Sequence, residues 1–205
     1  IRTVTCGIWR EMELCGYDLA RIADVHVAQD HRGRNRVDLS VHVTAELTTA
    51  GHTQRPGLRA HVQATRNGTP VAEETVALDG HRAMAALTIS NPELWWPNTM
   101  GDQPLYDVHV ELLDDAHSEI DSWARRVGLR TLTLDRHPDQ WGESFQFVVN
   151  GVPFFAKGAN WIPADAYNDR TTPARYRDLV ASAAAVNMNM LRVWGGGLYE
   201  EDVFY

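Results

Sequence analysis

Cysteine is nearly missing: Cys6 and Cys15 are the only two among 205 residues. Two thiols cannot staple a small secreted scaffold, and a Cys-x8-Cys pair with no histidine or further cysteine beside it makes a poor zinc signature. We expect two plain thiols, with a local disulfide as the alternative. Basic charge is short as well. Nineteen Lys and Arg stand against 27 Asp and Glu, a net charge of −8, so the basic stripe that tracks a phosphate backbone is lacking and no nucleic-acid partner is expected. Long apolar runs are absent: residues 180–190 come nearest, at about half of the roughly 18 to 20 residues that a membrane span takes, and no membrane partner is expected. Three catalytic signatures are also wanting. There is no His-Glu-x-x-His, no Gly-x-Ser-x-Gly around Ser144 or Ser182, and no lysine after Gly195-Gly196-Gly197; these absences argue against a zinc peptidase, a serine-hydrolase elbow and a phosphate loop. Neither a metal nor a cofactor is expected. The chain opens on Ile1 without an initiator or a charged-then-apolar leader, from which we expect only that this is not the native N-terminus; the compartment stays unassigned, a cytoplasmic setting being the default.

What is present is globular: 44% hydrophobic and 22% charged residues exclude global disorder. Residues 21–134 alternate with period two. Val37, Leu39, Val41, Val43 and Ala45 interleave with Asp38, Ser40, His42 and Thr44, and residues 58–64 repeat the pattern. Asn67-Gly68 then supplies a tight hairpin turn, because both residues tolerate positive φ. Further strands fall at 22–28, 71–78, 84–89, 106–112 and 120–127. The set makes about seven, separated by Gly, Pro and Asp turn signals, and this spacing indicates an immunoglobulin-like antiparallel β-sandwich. Leu39, Val41, Val43, Val62, Val108 and Val110 are expected to point inward. His42, His61 and His109 lie on the polar phase and are expected to face solvent, which removes them as metal ligands.

Beyond residue 134 the rules change. Residues 145–149 and 152–155 read as a hairpin turned at Asn150-Gly151, and the apolar run continues to Ala159. Thr172 before Pro173 is a helix start, and Tyr176, Leu179, Val180, Ala183 and Val186 form one apolar stripe closed by Asn187. Residues 190–194 are then a short buried strand ending in the three glycines. Strand, loop, helix and strand make a βαβ unit with parallel strands. The expected fold is therefore mainly β: the sandwich, then the first βαβ portion of a truncated (β/α)8 barrel. Residues 1–20 read as a remnant strand of an upstream domain, 21–134 as the sandwich and 135–205 as the barrel portion. The open edge at 190–194 invites self-association through Leu191 and Val193.

Tryptophan is the abundant residue, with seven in all, and its large ring suits core anchoring or stacking. Trp161 and Trp194 each sit just past an expected parallel strand, where α/β barrels hold their sites. A Trp there can stack on a sugar's apolar face while Asn160, Asp165 and Arg192 meet its hydroxyls; plain packing is the alternative. Asp165, Asp169, Glu200, Glu201 and Asp202 are the nearby carboxylates. We read Glu200-Glu201 as the solvated start of another helix, since chain neighbours diverge too far to serve as a paired acid and base.

Two segments carry a specific likeness. FQFVVNGVPFFAKGANWIPAD (145–165) and NMLRVWGGGLYE (189–200) closely resemble the opening of the catalytic barrel in β-mannosidases of glycoside hydrolase family 2. Gly7-Ile8-Trp9-Arg10 resembles the end of that family's sugar-binding jelly roll. Leu94-Trp95-Trp96-Pro97 with residues 101–106 resembles, more loosely, its sandwich. The resemblance implies retaining, exo-acting hydrolysis of terminal β-D-mannosyl residues, with a β-mannoside oligosaccharide as partner. It also implies that both catalytic glutamates follow later barrel strands that this chain does not contain, so no residue here is catalytic. By motif position Trp194 lines the terminal-sugar pocket, Arg192 lies below the nucleophile, and Asn160, Trp161 and Asp165 belong to the first loop over the site. The alternatives are a non-catalytic carbohydrate-binding or interdomain support module, or another family 2 activity such as β-galactosidase, β-glucuronidase or exo-glucosaminidase.

Overall fold

The computed structural model describes residues 7–8, 10, 12–54 and 57–205. Seven strands succeed one another: β1 (Ala20–His31), β2 (Arg36–Leu47), β3 (Arg59–Arg66), β4 (Thr69–Ala77), β5 (Arg82–Ser90), β6 (Tyr106–Leu113) and β7 (Glu119–Val127), with a short helix α1 (Thr49–Gln54) between β2 and β3. All pairings among them are antiparallel. They form a sheet in the order β1-β2-β5 and a second in the order β4-β3-β6-β7. Alternating apolar residues give each sheet one dry face. Val37, Leu39, Val41 and Val43 of β2, Leu87 and Ile89 of β5, Ala60 and Val62 of β3, and Val108 and Val110 of β6 are buried in a single cluster between the sheets. Each Val or Leu fully buried there contributes about 1.5–3 kcal/mol. The opposite phase faces outward, as expected. His42 is exposed, the His61 ring lies 2.9 Å from the Thr75 hydroxyl, and His109 lies beside Glu111. β3 turns into β4 at Asn67 and Gly68, whose φ of 52° and 76° make the tight turn.

Among the described residues no strand precedes Ala20. Trp9 of the expected remnant, and Cys6, lie outside the described residues; Cys15 is a free, exposed thiol.

Leu129, just past β7, still belongs to the sandwich core. β8 (Leu132–Asp135) does not: it pairs with β11 (Gln146–Val149), which pairs in turn with β12 (Val152–Phe154). Between β8 and β11 lie the two-residue strands β9 (Pro138–Asp139) and β10 (Gly142–Glu143), paired with each other. Then come β13 (Gly158–Trp161), α2 (Pro173–Ala185) and β14 (Met190–Val193), and β13 and β14 are parallel. The expected strand–helix–strand unit is present, with two corrections. Its first strand begins at Gly158, near the end of the 154–159 run and not at its start, and continues to Trp161, so that Asn160 and Trp161 stand on the strand and not in a loop beyond it; Phe155 is 81% exposed. Non-local pairing sets this boundary. The two backbones approach so closely at Gly158 that a Cβ there would lie 1.8 Å from the Met190 carbonyl oxygen, a place only glycine can fill. The helix stripe is also narrower than its spacing suggests. Tyr176 is buried, and Leu179 and Ala183 half-buried, but Val180 and Val186 are 36% and 65% exposed. Val186 lies past the last helical residue, at the C-cap, and among the described residues the sheet that α2 meets, through Tyr176 on Trp161, has two strands. Thr172 caps α2 as expected, its hydroxyl accepting from the Arg175 amide at 3.3 Å, and Asn187 leaves the helix at a φ of 62°.

Two side-chain amides join the blocks. Asn150 accepts from the Thr131 amide and donates to the Trp95 carbonyl, both at 3.0 Å. Asn98, in the loop between β5 and β6, donates to the carbonyls of Ala184 and Met188 at 3.0 Å each, the first in the last turn of α2, where it also accepts the Asn187 amide at 2.9 Å, and the second just past the helix. If the inward phase is the source of stability, Leu39→Ala should cost about 2–5 kcal/mol in urea unfolding, whereas His42→Ala should stay within about 0.5 kcal/mol of the parent.

Candidate functional site

Asn160 and Arg192 are register partners on β13 and β14. Period-two alternation therefore sends both side chains to one face, where the Arg192 guanidinium donates to the Asn160 amide oxygen at 3.0 Å. With Ala156, Gly158, Ala159 and Met190 they line an open depression of about 420 Å³. None of the lining residues is a carboxylate. Trp194 follows two residues after Arg192 and continues the ladder, its amide donating to the Trp161 carbonyl at 2.9 Å. Its indole is 44% exposed. Trp194 does not itself line the depression; an exposed indole at the end of the strand that carries Arg192 suits stacking on the apolar face of a polyhydroxylated ring.

The opposite face of β13 turns toward α2. Trp161 is 8% exposed and Tyr176 4%. Phe204, in a 3-10 turn at Asp202–Phe204, sets its ring centroid 4.6 Å from that of Trp161 and 5.7 Å from that of Tyr176. Buried indole and phenol donors need acceptors, and one residue serves both. Glu200 accepts from Trp161 Nε1 at 2.7 Å and from the Tyr176 hydroxyl at 2.5 Å. This corrects the expectation that Glu200-Glu201 begins a solvated helix. Only its neighbours behave so: Glu201 and Asp202 stand near the Arg10 and Arg125 guanidiniums, in half-exposed to exposed pairs. Glu200 and the polar end of Tyr176 escaped the sequence reading because Tyr176 passed as one more residue of an apolar stripe. The available signal was the demand for acceptors that a buried Trp and a buried Tyr both make.

Asp165 is half-buried and accepts from the Tyr167 amide at 2.8 Å, closing a local turn. Asp169 is exposed. Gly195-Gly196-Gly197 folds back on Trp194: a Cβ at Gly196 would lie 2.2 Å from the far edge of that indole, and the Gly197 amide donates to the Trp194 carbonyl at 3.3 Å. Among the described residues no three His, Cys, Asp or Glu gather as metal ligands.

Burial foremost, and then the Glu200 carboxylate, push the Tyr176 phenol up to about 12. A raised phenol favours the neutral form in the folded state. The stability it contributes is complete below the ordinary value near 10 and is lost as pH rises toward about 12. A tyrosinate absorbance titration should show a component at about 12 that disappears in Tyr176→Phe, and the same substitution should remove its share of the alkaline loss of stability.

The chain matches known proteins along nearly its whole length. The family described as "Glycosyl hydrolases family 2" matches residues 20–130. Beta-mannosidase B of Emericella nidulans is 37% identical over 210 residues, covering 98% of this chain and 23% of that protein. The enzyme of the same name from Thermothelomyces thermophilus is 38% identical over 208 residues with the same coverage, 98% and 23%. Among solved structures, the beta-D-mannosidase of Dictyoglomus thermophilum superposes with a TM-score of 0.83 at 38% identity, over 93% of this chain and 23% of that one. An exo-chitosanase of Amycolatopsis orientalis, at a TM-score of 0.71 and 23% identity over 92% of this chain and 21% of that one, shares the fold alone. The chain spans about a quarter of the length of these relatives. With more than half of its residues inside the family match, the chain belongs to the glycosyl hydrolases of family 2.

Proposed function

We propose that this chain is a portion of a retaining exo-β-mannosidase that removes terminal β-D-mannosyl residues from oligosaccharides or glycoconjugates. Residues 1–20 are the end of a sugar-binding jelly roll, residues 21–134 an immunoglobulin-like sandwich, and residues 135–205 the opening of a (β/α)8 catalytic barrel. The observation that carries this reading is the joint sequence and structural likeness to the Dictyoglomus β-D-mannosidase, at 38% identity across 93% of the chain. The fungal β-mannosidase B relatives support it over 98% of the chain.

In this reading the depression beside β13 and β14 faces the barrel interior. Trp194 offers its exposed indole to the terminal sugar. Arg192, oriented by Asn160, lies beneath the nucleophilic carboxylate and keeps it ionised through opposite charge and hydrogen bonding. Asp165 shapes the loop after β13, and Trp161 supports the site from behind. Retention requires two carboxyls about 5 to 5.5 Å apart across the scissile bond; both come from later barrel strands, outside this chain. Among the described residues β14 has no partner beyond β13, and Leu191 and Val193 are half-covered; the chain by itself either associates through them or leaves residues 156–205 poorly ordered.

A full-length polypeptide carrying this chain should hydrolyse an aryl β-mannoside with retention, in preference to the β-galactoside, β-glucuronide and β-glucosaminide. Preference for another glycoside, or inversion, overturns the assignment. Arg192→Ala should lower kcat/KM on the order of ten- to a hundredfold, the worth of a lost charge-assisted hydrogen bond of about 1.5–3 kcal/mol. The 205-residue chain alone should hydrolyse none of the four substrates. Light scattering on that chain should show association, or hydrogen exchange should show weak protection over 156–205; a strict monomer with strong protection at 191–194 contradicts the open edge.

A further inference from the structure

Both ends of the loop that bears Trp194 are held by one residue. At the near end the Trp194 amide donates to the backbone carbonyl of Trp161 at 2.9 Å. At the far end, six residues on, the Glu200 carboxylate receives the indole N–H of the same Trp161 at 2.7 Å. The second carboxylate oxygen takes the Tyr176 hydroxyl from α2 at 2.5 Å. Between these points lie three consecutive glycines, the stretch with the greatest conformational freedom to lose. Nevertheless the loop is folded onto the Trp194 ring at Gly196 and against Pro163 at Gly197. A loop of this composition holds a single shape only if both ends are pinned. The pin at the far end is a charge-assisted pair of hydrogen bonds in an aromatic enclosure formed by Trp161, Tyr176 and Phe204.

We propose that Glu200 is a positioning residue: by fastening the loop to Trp161 and Tyr176 it sets the orientation in which Trp194 meets its ligand. The proposal rests on the reading of Trp194 as the face for a terminal sugar. Glu200 touches no reacting atom in this arrangement, since both of its oxygens are engaged away from the depression. Its loss disturbs ground-state and transition-state stacking alike, which raises KM more than it lowers kcat.

The test uses the full-length polypeptide. Glu200→Ala should raise KM for an aryl β-mannoside about tenfold with kcat within about twofold. Glu200→Gln should recover most of the loss, because its amide oxygen still accepts from Trp161 while its amide nitrogen donates to the Tyr176 oxygen. Trp161→Phe keeps the ring and the backbone contact but lacks the N–H, and it should raise KM in the same way; it carries the test if Glu200→Ala does not fold. Wild-type KM in the folded variants, a fall in kcat at constant KM, or no recovery with glutamine overturns the proposal. Hydrogen exchange gives a readout independent of activity. The amides of residues 194–197 should exchange faster in the variants while the sandwich strands keep their protection, and unchanged exchange overturns the anchor. An inactive wild type refutes the mannosidase reading, and the exchange result then decides the anchor by itself.

Discussion

The apolar layer between the two sandwich sheets is the constraint on which the rest hangs. Valines and leucines of β2, β3, β5 and β6 fill it, and a slip of one residue in any of these strands would expose a complete apolar row to water. Because the register cannot drift, the loops leaving the sheets start from fixed points. One of them, between β5 and β6, stacks Trp95 on Gly128 and Trp96 on Gly101, where an added Cβ would fall within 2.9 Å of each indole. Indole packed on bare backbone keeps the loop in one course, with the Arg130 guanidinium over the Trp95 ring at 4.6 Å.

That fixed course delivers Asn98 to the end of α2 and the Trp95 carbonyl to Asn150. The amide side chain suits this task, since it both donates and accepts and bears no charge that burial would penalise. The strand–helix–strand unit is tied to the sandwich at the end of α2 through Asn98, and the hairpin before it through Asn150. The depression at Asn160 and Arg192 and the exposed Trp194 are consequences at third hand: sheet, loop, helix, then site.

How much of this could be read from residues alone depended on how local each signal is. Strand alternation, the Asn67-Gly68 turn and the Thr172-Pro173 helix start are written in neighbouring residues, and the structure follows them. The start of β13 is not. Gly158-Ala159-Asn160-Trp161 has weak strand preference, and it is extended because Met190–Val193 pairs beside it, a partner about thirty residues away. Val180 and Val186 share the helical spacing of Tyr176, but spacing names a face without saying how much of it a neighbour covers. Glu200 was the hardest to read. In the row Glu200-Glu201-Asp202 the three acids are chemically alike, and only the tertiary approach of Trp161 and Tyr176 separates the first from the others.

The contiguity of the sandwich has a consequence for how such a chain is made. Its seven strands occupy one contiguous stretch, residues 20–127, that also holds the short helix α1, and β3 and β4 close on a two-residue turn, the kind of hairpin that forms in about 1–10 μs. A ribosome adds about 5–20 residues each second, so the sandwich can be complete while β13, α2 and β14 are still being synthesised. The parallel pair must then wait for the helix between its strands. When the last turn of α2 emerges, the Asn98 amide is already in place as a donor for the carbonyls of Ala184 and Met188. Vectorial synthesis thus turns the sandwich from a neighbour of the site into the surface on which the site is assembled.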